Sequence, residues 1–496
     1  MKKIVSIAYE KDANYADSQY DFRPSEKYPE YPFVENISAI ENKAYAMVRE
    51  AIHLYGFDEE NFNSDSWNPF REIIYPGNKV VIKPNLVMDY NPTGDGVECL
   101  YTQPSIVAAV IDYVCIALRG KGEIIIGDAP MQECNFQNLI KQSGYDRLIE
   151  FYKRKLLDSE ITISLKDFRG YSAVVVNGVH YGQENVNAPD GIMVDLGENS
   201  EFAEYTNDDL ERLRINSYNP AILKRHHNRK KHEYLINSDV LSADVIINMP
   251  KPKTHRKAGV TIALKNIVGI IVRKEYLPHH CNGDAKSGGD EYNSPSILKR
   301  IKSFIQDKIN YFESLHKYPK VKILIFIRKC ITTFIRLGKD QSWDGSWYGN
   351  HTISKTVADL NKILIYADKN GAMCETPQRK SIIIADMIMS GENEGPIEPT
   401  NIYAGMVCIG EDPVCFDEAV ASIMGMDTEK IPTLTNARCV RSRFKLTEPT
   451  SYPVIKSNNL KWHNKTVQQL DQQSVLHFVP AVGWLSHIEK DYLQQK

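Results

Sequence analysis

No C-x-x-C pair occurs in this sequence. Its nine cysteines (Cys99, Cys115, Cys134, Cys281, Cys330, Cys374, Cys408, Cys415 and Cys439) are scattered and odd in number. That spacing argues against a disulfide framework, a zinc ribbon and the four-cysteine ligation of an iron–sulfur cluster. Scattered thiols in a long chain fit a reducing compartment. Long apolar runs are lacking too. The N-terminal "MKKIVSIAYEKD" is basic, but its apolar part is too short for the core of a signal peptide. The segment "KVKILIFIRKCITTFIRLG" (320–338) is interrupted by Lys322, Arg328, Lys329 and Arg336, which argues against a spanning helix. A cytoplasmic location is the expectation. Charge of one sign is also missing: the net charge is -3 over 496 residues. No whole-molecule field therefore favours nucleic acid, and any basic feature is local. G-x-x-x-x-G-K-[ST], G-x-G-x-x-G after a strand, and G-x-S-x-G are all absent, so the common nucleotide-binding and hydrolase readings lose their main support.

What is present is ordinary for a globular chain: 25% charged and 42% hydrophobic residues. Short β-branched runs recur at 79–82 "KVVI", 124–126 "III", 245–247 "VII" and 382–384 "III". Helix-period stretches lie between several of them. In 38–56, Ile40, Ala44, Met47 and Ala51 share a face that stops at Gly56; 102–122 opens on Thr, Pro and Ser and closes on glycines. The pattern predicts an α/β fold with a largely parallel or mixed sheet covered by helices, long insertions and a basic helical segment. The expected division is a first α/β part (1–150), an insertion (151–240), a core site segment (241–295), a basic helical insertion (296–345), a second α/β part (346–430) and a C-terminal tail (431–496).

The strand exits are the informative positions. They lead into Lys83-Pro84-Asn85, into Gly127-Asp128-Ala129-Pro130, into Asn248 followed by "MPKPKTHRKAG", and into Ala385-Asp386. Were these strands parallel, their carboxyl ends would share one edge, where ligands bind. Lys83, Asn85, Asp128, Lys253, His255 and Asp386 would then converge. Lysines at a strand end usually point to water, but Pro250 and Pro252 stiffen this loop and lower the cost of holding lysine tips in place. Beside Lys251, Lys253, Arg256 and Lys257, the charged form of His255 is disfavoured, which leaves a neutral base or ligand. By residue type it is also the one group there expected to titrate near neutrality.

Other features admit two readings each. "VTIALKNIVGIIV" (260–272), read as a helix, puts Val260, Leu264, Ile267, Val268 and Ile271 on one face. Lys265 then either snorkels from its edge or sits in a partly buried pocket. Asp128 and Asp386 suit turn chemistry, a metal or a general base. Glu392, Glu394 and Glu398 lie in a Gly/Pro loop that could gather a hard cation or be a surface turn. Asp412 could cap a helix and Asp417 sit in its first turns. His226, His227, His232, His279 and His280 are too irregularly spaced for a helix-borne zinc motif and are expected to be solvated. In 320–337 Ile323, Phe326, Ile327, Cys330, Phe334 and Ile335 form one broad face with cations opposite. Core packing is the usual fate of such a stripe; peripheral contact with an anionic membrane through 296–340 is the alternative.

"VVIKPNLV", "YTQPSIVAAVIDYV", "EIIIGDAP", "DVIINMPKPKTHRKAGVTIALKNIVG", "GENEGP" and "VCIGEDPVCFDEAVASIMGMD" follow in order the motif series of the DUF362 family, which this chain resembles from about residue 79 to 427. The family is a domain of unknown function. The resemblance directs attention to Lys83, Asn85, Asp128, Lys253, Thr254, His255, Lys265, Asn266, Glu392, Glu394, Asp412 and Asp417, without assigning them roles. Many members carry a ferredoxin-like segment with two four-cysteine clusters, which this sequence lacks, so no iron–sulfur cluster is expected. By residue chemistry, the expected reading is an enzyme for an anionic small molecule. His255, Lys253 and Lys265 would be catalytic. Lys83, Asn85, Thr254 and Asn266 would bind the anion. Asp128, Asp386, Glu392 and Glu394 would hold a divalent metal. A racemase or epimerase with a loose likeness in site chemistry to nickel-dependent lactate racemase, and a non-enzymatic membrane-surface protein, are the alternatives.

Overall fold

The computed structural model describes residues 3–15, 21–33, 37–176, 179–186, 191–338, 340, 342–450 and 452–491. Ten strands build the main sheet: β1 (Ile4–Tyr9), β2 (Lys79–Pro84), β3 (Lys121–Asp128), β4 (Glu160–Asp167), β5 (Val245–Met249), β6 (Lys253–His255), β7 (Gly259–Thr261), β8 (Lys380–Glu394), β9 (Glu398–Gly410) and β10 (Val454–Ser457). Their order is β10-β1-β9-β8-β5-β2-β3-β4, and β6 branches off to pair with β7 and β8. The run β8-β5-β2-β3-β4 is parallel. β9 is antiparallel to both β8 and β1. The sheet is thus mixed and mostly parallel, in an α/β fold.

Both faces of β2, β3, β5 and β8 are buried, which is why these strands read as continuous apolar runs. Val80, Ile82, Ile124, Ile126, Val245, Ile247, Ile382 and Ile384 turn into one core, beneath α1 (Lys43–Tyr55) and α2 (Pro104–Leu118). Val81, Ile125 and Ile246, from alternate positions, turn into the core on the other face. α1 begins at Asn42, whose side chain accepts from the Tyr45 amide, and ends at Gly56 with φ 84, as a left-handed C-terminal glycine should. Ile40 lies before the helix and is exposed; the other three expected face residues are buried.

α3 (Ile297–Ser314) and α4 (Tyr318–Arg336) form an antiparallel hairpin with a small core of its own, made by Ile305, Ile309, Val321 and Ile325. Core packing of the stripe on α4 is overturned. Ile323, Phe326, Ile327, Cys330 and Phe334 are exposed, and only Ile335 is buried. The reason is geometric: Val321, Ile325 and Ile335 lie on the opposite side of the helix and make its inward contacts. Further along, α5 (Thr352–Tyr366) and α6 (Pro413–Ile423) cover the second face of the sheet. Residues after 431 supply β10 and bury Trp462 and Trp484. Among the described residues no helix is long and apolar enough to cross a membrane.

Candidate active site at the carboxyl edge of the parallel strands

The four strand exits meet. Asn248 on β5 lies beside Lys83 on β2, and β3 ends at Asp128. Lys83 Nζ stands 2.7 Å from Asp128 Oδ1, both side chains being buried. It also donates to Asn266 Oδ1 (3.1 Å) and to the Pro84 carbonyl (2.9 Å). Asp128 accepts from the amides of Leu86 and Ala129. Burial works against both charges, pulling the lysine down and pushing the carboxyl up, while their mutual attraction opposes it. A second buried pair joins Lys251 Nζ to Asp386 Oδ2 at 2.9 Å. Tyr15 completes it: its hydroxyl donates to Asp386 Oδ1 (2.6 Å) and accepts from Lys251 (2.7 Å).

Three lysines remain without a carboxylate within ion-pair distance among the described residues. Lys253 is wholly buried, and the one hydrogen bond of its amine among the described residues runs to Asn85 Oδ1 at 2.6 Å. Burial pulls its amine down to about 7, and nearby Lys251 pushes the same way. The Lys265 side chain is half-buried, and among the described residues its amine makes no hydrogen bond or ion pair. Burial lowers it to about 8, with Lys257 and Lys83 adding repulsion. Lys274, which donates to the Pro130 carbonyl, is brought to about 7 by burial, then by Arg169.

Two histidines complete the group, in opposite tautomers. His255 Nδ1 accepts from the amides of Lys257 (3.0 Å) and Ala258 (3.1 Å), so the ring proton sits on Nε2. His279 Nδ1 faces the Leu277 carbonyl at 2.9 Å and must donate, which leaves Nε2 bare. Burial and then Lys265 hold both rings neutral, His279 at about 3 and His255 well below the usual range. His255 is thus neutral as expected, but it does not titrate near neutrality. Lys253, Lys265 and Lys274 do.

The local fold sets these positions. "VTIALKNIVGIIV" is not one helix: Gly259 at φ 78 starts β7, which pairs back on β6. A short helix Ala263–Asn266 and a 3-10 turn Ile267–Ile270 follow. Asp417 on α6 accepts from the Ala263 (2.8 Å) and Leu264 (3.0 Å) amides, fixing the turn that carries Lys265. Asp412 caps α6 through the Val414 and Cys415 amides. Thr254 donates to the Asn393 carbonyl (3.0 Å) and so pins the lysine loop to β8. Gly269 lies directly over the first ion pair: a Cβ there would stand 1.8 Å from Asp128 Oδ1 and 2.8 Å from Lys83 Nζ. Gly269→Ala should therefore displace the pair and cost about 1–3 kcal/mol, measured by urea unfolding; an unchanged midpoint would show that the site yields without cost.

The four carboxylates expected to bind metal are not brought together. Asp128 and Asp386 each face a lysine. Glu392 and Glu394 turn away to accept from the backbone amides of Val479 (2.8 Å) and Val482 (2.7 Å). Among the described residues no three His, Cys, Asp or Glu side chains form a group that could hold a metal ion. His227, His232 and His280 are buried rather than solvated. Tyr15 and Lys274 were not readable as site residues, because nothing in their local sequence distinguishes them, and His279 reads from sequence only as one of five irregularly spaced histidines. A cavity of about 810 Å³ adjoins the lysine loop, lined by Arg256, Lys302, Trp343, Asp344, Trp347 and Glu394 among others.

Comparison with known proteins agrees with the motif series. The family model described as "Domain of unknown function (DUF362)" matches residues 80–163 and 165–422. The thylakoid-associated protein sll1697 of Synechocystis sp. is 25% identical over 201 residues. That match spans 40% of this chain and 41% of the relative's length. A crystal structure of a Thermotoga maritima protein aligns over 75% of this chain and 56% of its own, at 10% identity and a TM-score of 0.27. That score is too low to support an argument.

Proposed function

This chain belongs to the DUF362 family, and from that premise we propose that it is an enzyme acting on an anionic small molecule, carboxylated or phosphorylated, at the carboxyl edge of its parallel strands. One observation carries the reading: the Lys265 side chain is half-buried and its amine has no partner among the described residues, with only cations acting on its charge. Buried positive charge without a counter-ion is costly, and such perturbed groups cluster at functional sites. An anion would supply the missing partner, accepting from Lys265 Nζ and from His255 Nε2–H. Lys83, Asn85, Thr254 and Asn266 serve as the frame that holds Lys253, Lys265 and the loop. With an amine at about 8, Lys265 is partly neutral in mildly alkaline solution and suits proton transfer. The bare Nε2 of His279 is a second acceptor.

Sulfate tests the anion site, because it does not titrate near neutrality. A bound dianion favours protonated lysine, so binding takes up a proton once the pH exceeds the free amine's pKa. Affinity should hold below pH 7 and fall about tenfold per pH unit above 8 for each lysine engaged. Calorimetric titration should show this in the wild type and lose it in Lys265→Met. Equal binding by both proteins would sink the assignment. Turnover of phosphorylated and carboxylated compounds should likewise vanish in Lys265→Met while the melting temperature is kept.

A further inference from the structure

The hairpin α3–α4 carries an apolar face that the described residues leave uncovered. Of 23 large hydrophobic side chains exposed among the described residues, 11 lie between 297 and 337. On α3 and just beyond it, Ile297, Ile301, Phe304, Tyr311 and Leu315 recur at helical spacing. On α4 the stripe is Ile323, Phe326, Ile327, Phe334 and, just past the end, Leu337. Phe304, Phe326 and Phe334 are 61%, 68% and 63% exposed, far more than an ordinary surface leaves to aromatic rings. Exposed cations flank the stripes: Arg300, Lys308, Lys320, Lys322, Lys329 and Arg336. Residues 296–340 hold 11 lysines and arginines against three acidic side chains, although the whole chain is slightly acidic.

We infer that this hairpin is a docking surface for an anionic lipid bilayer. Apolar side chains would enter the acyl boundary, and the flanking cations would meet the headgroup phosphates. Charge selects this occupant. A second copy of the chain would cover the apolar stripes but set one dense cationic surface against another, which is unfavourable. Insertion across the bilayer is excluded for these helices by the cations that interrupt them. The inference does not depend on the strand-edge site.

Flotation of the full chain with vesicles tests it. At low salt the protein should float with vesicles containing 30% phosphatidylserine and stay behind with pure phosphatidylcholine. Half a molar salt should weaken the binding. Two variants with unchanged circular dichroism should each lose at least tenfold in partitioning: Phe304→Ser with Phe326→Ser and Phe334→Ser, and Lys320→Glu with Lys322→Glu and Lys329→Glu. Lys265→Met should float like the wild type, which separates this surface from the anion site. Absence of flotation at low salt would overturn the inference, because screening cannot then be responsible. So would a wild-type dimer in sedimentation that the serine variant dissociates, since the face would then belong to a second copy.

Discussion

Lys253→Met should be more stable than the wild type at pH 6, by about 2–4 kcal/mol, and the advantage should shrink as the pH approaches 10. The amine is wholly buried, faces no carboxylate within ion-pair distance among the described residues, and is pulled down to about 7. Below that value both folded and unfolded chains carry the proton, and the folded chain bears the full cost of a buried charge. Between about 7 and the unfolded value near 10.4, the unfolded chain holds more protons, so wild-type stability rises with pH. Methionine has similar reach and no charge. It removes the penalty and flattens that slope, less about 1 kcal/mol for the unpartnered Asn85 Oδ1. Urea unfolding from pH 6 to pH 10 measures both curves. A variant less stable than the wild type at pH 6 would mean that Lys253 is a structural strut. Greater stability with loss of sulfate binding is the signature of a group kept for function at a cost to the fold.

Asp128→Ala should have the opposite sign and be larger, lowering stability by about 3–5 kcal/mol. It strips the carboxylate from Lys83, whose ammonium stays buried, and leaves the Leu86 amide without its acceptor, while the Ala129 amide keeps the Gly269 carbonyl. Removing both charges should cost less than the two single replacements together. A cycle of Asp128→Ala, Lys83→Met and the double variant isolates the coupling. Additive losses would show that the pair contributes nothing beyond its separate members. The contrast with Lys253 is the point: Lys83 has its counter-charge in Asp128, while Lys253 and Lys265 have none among the described residues.

Four strands and their exits were legible because both faces of β2, β3, β5 and β8 are buried, so each had to be apolar along its core and change abruptly where it left the sheet. Pro250 and Pro252 likewise marked a stiff loop. The loop's burial was not legible. "PKPKTHRK" has the composition of a solvated charge run, yet Lys251 and Lys253 are fully enclosed. Their partners, Asp386 and Asn85, lie 135 and 168 residues away. A lysine's environment is set by such distant groups, and local spacing carries no record of them. The same limit explains the carboxylates: an acid at a strand end reads alike whether it will face a metal or an ammonium.

The hairpin shows the division from the other side. Its amphipathic period is written in the residues of 297–337, since helical spacing is local geometry. Whether the apolar stripe turns inward or outward depends on what packs against it, and Val321, Ile325 and Ile335 occupy the inward side. From the residue order alone come the α/β class, the mostly parallel sheet, its family and the strand edge where Lys83, Asp128, Lys253 and Asp386 gather. Tertiary structure alone decides which lysines are neutralised, which histidine nitrogen holds the proton and which apolar face stays uncovered. Each of those depends on through-space neighbours that the chain brings together only on folding.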